Sequence, residues 1–168
     1  MKPKVLIIMG SDSDMPVMEG AEKTLRDLGI ACEKTIASAH RAPDRTIKLA
    51  LEAEKKGIEV MIAGAGMAAH LAGVLASHTI LPVIGVPIDS SPLNGLDSLL
   101  STVQMPPGVP VAAMSIGKAG ARNAAIFAAQ IIGRKYPEVA ERLKEYKKSM
   151  AAEVEKKARA LQRGPDKK

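Results

Sequence analysis

Two short stretches concentrate the side chains that could do chemistry. Gly10-Ser11-Asp12-Ser13-Asp14 places two hydroxyls and two carboxylates behind a glycine, just before a helical pattern that begins near Pro16. The free N–H groups of a helix start attract anions, and Ser11 and Ser13 add hydroxyl donors. Asp14 has a plainer alternative, capping that helix with Pro16 in its first turn. Ser38-Ala39-His40-Arg41-Ala42-Pro43-Asp44 brings a hydroxyl, an imidazole and a guanidinium within four residues. Arg41 has the planar fork that grips phosphate at two points. His40 is the residue best suited to move a proton near neutral pH. The plainer alternative here is a loop histidine, a solvated arginine and Asp44 capping the next helix.

A third stretch, Gly64-Ala65-Gly66-Met67-Ala68-Ala69-His70, is rich in small residues that let a ligand approach the backbone. It matches G-x-G-x-x-A, and Asp89 follows about twenty residues later, which is the outline of a dinucleotide fingerprint. The outline falls on the third strand, with too little chain after it for two nucleotide-binding halves. His70 heads a buried apolar helix, so a core histidine and a ligand contact are both open. Other templates fail. Gly117-Lys118-Ala119 lacks the Ser/Thr of a P-loop, and no G-x-S-x-G elbow exists. His40, His70 and His78 lack metal-ligand spacing, and His78 is expected to bond a helix end. The single cysteine, Cys32, excludes an internal disulfide and a cysteine-based zinc cluster, and points to a reducing, cytoplasmic home.

These stretches follow short apolar runs at residues 4–9, 31–37, 58–63, 82–86 and 110–114, the second weaker and nearer an edge. Continuous apolar runs suit parallel strands covered on both faces. Helical patterns lie between them, at about 17–28 with Gly29 as the stop, 47–57, 68–77, 96–103 and 119–135. The alternation predicts a doubly wound α/β sheet, in which ligands bind beyond the carboxyl ends of the strands. All three chemical stretches fall there. Val139, Leu143, Tyr146, Met150, Val154 and Leu161 then form one stripe on a long helix over about 137–163. That stripe either adds a last layer to the same domain or docks onto another subunit. The terminal RGPDKK is polar and expected to fray.

The 168 residues fit one domain, and 46% apolar content supports a packed core. The core is expected over about 4–135. Net charge is +6, but 12 of the 24 basic residues lie from Arg134 onward beside 6 of the 18 acidic ones, leaving the body neutral. With three aromatics (Phe127, Tyr136, Tyr146) and no basic groove, nucleic-acid binding is disfavoured. No apolar run approaches the ~20 residues of a membrane span.

Taken together, GSDSD (10–14), SAHRAPD (38–44), GAGMAAHLAG (64–73), PVIGVP (82–87), LDSLLSTVQMPPGVPVA (96–112) and GKAGARNAA (117–125) resemble the class I PurE family. That family comprises the N5-carboxyaminoimidazole ribonucleotide mutases of purine biosynthesis. The resemblance covers about residues 4–150; Arg41 and His70 distinguish it from the related class II carboxylases. It implies a flavodoxin-like three-layer sandwich, a homo-octamer whose C-terminal helix reaches a neighbour, and no cofactor. It implies that Ser11, Ser38 and Arg41 hold a substrate phosphate, that Asp14 holds the ribose hydroxyls, and that His40 is the acid/base. Ala65, Gly66, His70 and Leu71 would line the pocket around the imidazole and carboxylate. Two positions depart from the family pattern, Met67 and Ala72 standing where it carries Gly and Pro. Direct carboxylation of aminoimidazole ribonucleotide by CO₂ would use the same residues. A dinucleotide- or flavin-binding module, or a docking protein acting through its basic terminal helix, are the readings of other classes.

Overall fold

The computed structural model describes residues 4–162. Strands β1 (Lys4–Met9), β2 (Ala31–Ile36), β3 (Ile58–Gly66), β4 (Val83–Ile88) and β5 (Ala112–Ala113) form one all-parallel sheet in the order β2-β1-β3-β4-β5. Helices α1 (Met15–Asp27), α2 (Pro43–Ala53), α3 (Leu71–Ala76), α4 (Leu96–Val103), α5 (Gly117–Ile132) and α6 (Pro137–Gln162) connect and cover them. This is the doubly wound, flavodoxin-like order, with its switch point between β1 and β3.

Side chains alternate across the pleat and divide the core. Val5, Ile7 and Met9 join α1 and α5 on one face, with Val60 and Ile62 of β3. Leu6 and Ile8 join α2 and α3 on the other, with Met61 and Ala63. Five buried alanines of α5, from Ala121 to Ala129, let it lie close against Ala21 and Leu25 of α1. β2 is an edge strand with exposed and half-buried side chains, as its weak apolar signal implied. Gly29 stops α1 in a left-handed turn, φ 71°.

Four boundaries differ from the sequence expectation. β3 runs on to Gly66 because Gly64–Gly66 keep pairing with Val86–Ile88. α3 therefore starts at Leu71, not Ala68, after Met67 breaks the chain direction at φ 56°. β5 keeps only two residues beyond Pro110, which lacks a ladder donor. α5 ends at Ile132, three residues before Lys135, where the chain turns into α6. α6 packs through its first turns only: Val139 is buried and Leu143 and Tyr146 touch the core. Arg142 donates from Nη1 to the Leu28 carbonyl at 3.1 Å and ties α6 to the end of α1. Met150, Val154 and Leu161, the outer half of the stripe, are exposed. The RGPDKK segment lies outside the described residues.

Candidate active site

The loops that leave β1, β2 and β3 meet at the switch point and enclose a cleft of about 610 Å³. Ser11, Ser13 and Asp14 line it from the first loop, Ser38, His40 and Arg41 from the second, and Ala65, Gly66, His70 and Leu71 from the third.

The first loop is a capping box on a single 3-10 turn, Asp12–Asp14. Asp14 Oδ2 accepts from the Ser11 N–H at 2.9 Å, and the Ser11 hydroxyl accepts from the Ser13 N–H at 3.4 Å. Asp14 thus caps this turn rather than α1, to which it makes no capping bond. It is the one buried charged residue of the cleft. Burial pushes its carboxyl above the ordinary range, opposed by the backbone N–H groups of Ser11 and Gly10. Asp12 is exposed and shifts the other way, chiefly through the Ser11 hydroxyl and the Ser13 N–H, with a smaller pull from the Arg41 guanidinium.

The second loop closes on Ser38. Its hydroxyl accepts from the Arg41 backbone N–H at 3.2 Å and from Arg41 Nε at 3.5 Å, and its carbonyl accepts from the Ala42 N–H at 2.9 Å. This turn points His40 and Arg41 into the cleft. Ala42, not Asp44, occupies the N-cap of α2; Asp44 sits in the first turn, where its charge suits the helix dipole.

Across the cleft, His40 Nε2 lies 2.8 Å from His70 Nδ1, with the rings edge to face at 85°. One nitrogen donates and the other accepts, according to the tautomer that each ring holds. Sequence alone had no access to this pairing between residues on separate loops. His70 stands at the N-cap of α3, so it is a cleft residue and not a core histidine.

The third loop approaches closely because Gly66 has no side chain; a Cβ there would lie 1.8 Å from Ser90 Oγ. Ser90, after β4, lines the cleft and was missed by sequence reasoning. The Asp89-Ser90-Ser91 run at a strand end was the available signal. Asp89 is exposed and is not among the cleft residues, and Gly64–Gly66 belong to β3 rather than to a strand-to-helix turn. The dinucleotide outline therefore does not form. His78 Nδ1 bonds the Val74 carbonyl at 2.9 Å, at the end of α3. Cys32 lies half-buried on β2, outside the cleft lining, and burial raises its thiol. Among the described residues no three His, Cys, Asp or Glu side chains converge to hold a metal ion. No helix among them is long and apolar enough to cross a membrane.

His40, Arg41 and His70 are exposed in the single chain. The strand-end loops form a floor and two walls, and they leave the mouth open.

The AIR carboxylase family matches residues 4–153. The chain is 58% identical to the N5-carboxyaminoimidazole ribonucleotide mutase of Pyrococcus horikoshii over 161 residues, covering 96% of this chain and 90% of that protein. It is 60% identical to the protein of that name from Thermotoga maritima over 160 residues, covering 95% and 92%, and 47% identical to the one from Escherichia coli, covering 90% and 89%. The crystal structure of Treponema denticola PurE superimposes with a TM-score of 0.86 at 28% identity, over 95% of this chain and 99% of that one. The cleft at the switch point, the three loops that build it and these matches along nearly the whole chain lead to one conclusion: the chain belongs to the AIR carboxylase family.

Proposed function

We propose that this chain converts N5-carboxyaminoimidazole ribonucleotide to 4-carboxy-5-aminoimidazole ribonucleotide in purine biosynthesis, with His40 as the general acid and base. The observation that carries the reading is the 2.8 Å contact between His40 and His70 in a cleft that also presents serine hydroxyls and a guanidinium. An anionic ribonucleotide needs such donors. Ser11, Ser38 and Arg41 hold the phosphate, with Ser13 in reach of the same group, and Asp14 accepts from the ribose hydroxyls. Ala65, Gly66, His70 and Leu71 surround the imidazole ring and its carboxylate.

The carboxyl group moves from the exocyclic nitrogen to C4. The nitrogen–carboxyl bond breaks, CO₂ forms, and the nitrogen takes up a proton, supplied by His40. The C4 carbon of the resulting enamine then attacks CO₂, and His40 removes the C4 proton. Atoms balance with no net proton change, so one imidazole serves both halves. His70, bonded to His40, fixes the orientation of its ring. The scheme calls on no metal, biotin or ATP.

We further propose a cytoplasmic homo-octamer of class I type. Leu96, Leu100 and Val103 form an exposed apolar stripe on α4, and Met150, Val154 and Leu161 form another on α6. Neighbouring subunits would cover these stripes.

The test supplies each substrate separately to purified protein. N5-carboxyaminoimidazole ribonucleotide alone should give the 4-carboxy product. Product formed only from aminoimidazole ribonucleotide with free CO₂ would make the chain a direct carboxylase. Tight NAD or FMN binding by calorimetry would favour a cofactor-binding module instead.

A further inference from the structure

Met67 fits its position poorly in two ways. Its backbone is left-handed, φ 56°, a conformation that glycine adopts freely and methionine adopts only with strain. Its side chain is 59% exposed on the rim of the cleft. Asn94 is the other non-glycine residue with positive φ among the described residues, and asparagine tolerates that region. Methionine has no such compensation. Glycine at this position would remove both the strain and the exposed apolar surface, and strain held at a ligand cleft points to a role in what the cleft does.

The backbone on either side is fixed. Gly66 is pressed against Ser90 so closely that no Cβ fits, and Ala69 is buried. Gly66 and Ala69 thus anchor the third loop on both sides of Met67, whose unbranched thioether chain with three rotatable bonds can fold over a bound ligand. We infer that the Met67 side chain closes the cleft over the substrate and retains the CO₂ formed between the two halves of the reaction. This rests on the mutase reading above. In that reaction the nitrogen–carboxyl bond breaks to give CO₂ and the protonated exocyclic nitrogen. The C4–carboxyl bond forms next as the C4 proton leaves to His40. CO₂ that escapes in between leaves aminoimidazole ribonucleotide as the end product. An apolar cover at the mouth holds an uncharged gas molecule and keeps water from replacing it.

The experiment measures how each consumed molecule of N5-carboxyaminoimidazole ribonucleotide is partitioned, after subtracting enzyme-free loss. Wild type, Met67→Gly and Met67→Leu are compared for 4-carboxy product against aminoimidazole ribonucleotide plus free CO₂. Met67→Gly should raise the escaped fraction about tenfold, the loss of one good apolar contact. Met67→Leu, which restores an apolar cover of similar size, should stay close to wild type. Met67→Gly should also melt no lower than wild type, because glycine relieves the left-handed backbone. Unchanged partition in Met67→Gly overturns the inference while the mutase reading stands. A smaller assembled mass for Met67→Gly by light scattering also overturns it, by assigning the side chain to a subunit contact. A wild type that makes no 4-carboxy product overturns both readings together.

Discussion

Asp14 is held under opposing demands. Its carboxylate caps the first loop, yet burial disfavours its charge and raises its pKa. The ordinary value for this side chain is 3.8. The folded chain therefore keeps the proton through a range in which the unfolded chain has lost it. The stability this contributes is complete below the unfolded value and is lost as pH rises through the folded one. At neutral pH the buried charge is a cost. Asp14→Asn, which keeps an oxygen for the Ser11 N–H, should raise Tm at pH 7, with the gain shrinking in melts taken toward pH 4. The same variant should bind substrate more weakly, a trade of stability for function. Arg41 sits at the other extreme, exposed and aimed at the cleft. A hydrogen bond to a charged group is worth about 1.5–3 kcal/mol, so Arg41→Ala should raise KM about 10- to 100-fold and leave kcat less affected. Steady-state kinetics checks this, and an unchanged KM would remove Arg41 from the phosphate. The types and spacing of Ser11, Asp14, Ser38, His40 and Arg41 were legible in the chain because each loop is local. The His40–His70 contact and the place of Ser90 were not, because they depend on how three strand ends rotate about one another.

The strands and helices were legible for a related reason. β1, β3 and β4 are largely buried on both faces and carry apolar runs, interrupted in β3 by Glu59, and α1 has a clear stop at Gly29. What stayed hidden was governed by contacts between elements. β3 extends through two glycines that look like a loop because β4 pairs with them. β5 shrinks because prolines crowd its start. Only half of the α6 stripe finds a partner within the chain. The Gly29–Arg142 contact has a measurable consequence. Gly29 is left-handed, and a Cβ there would lie 1.3 Å from the Arg142 guanidinium. Arg142 is a flexible side chain that can move aside, but the backbone strain remains. Gly29→Ala should cost about 1–2 kcal/mol in chemical denaturation. Arg142→Ala should cost less overall and should speed amide exchange selectively in α6.

A single copy of this chain leaves two apolar stripes and its own candidate site open to water. The α4 residues Leu96, Leu100 and Val103 and the outer part of α6 are the surfaces on which an assembly would form. Leu100→Asp should lower the assembled mass in light scattering. If neighbouring subunits close the cleft, turnover should fall with the mass rather than independently of it. The most direct measurement of the central claim is the turnover of N5-carboxyaminoimidazole ribonucleotide by His40→Asn. Positioned proton transfer is worth about 10²–10⁴ in rate, so kcat should fall by at least that range while KM stays near the wild-type value. A kcat close to wild type would contradict the account, because no other group in the cleft is assigned to carry the proton through both halves of the reaction.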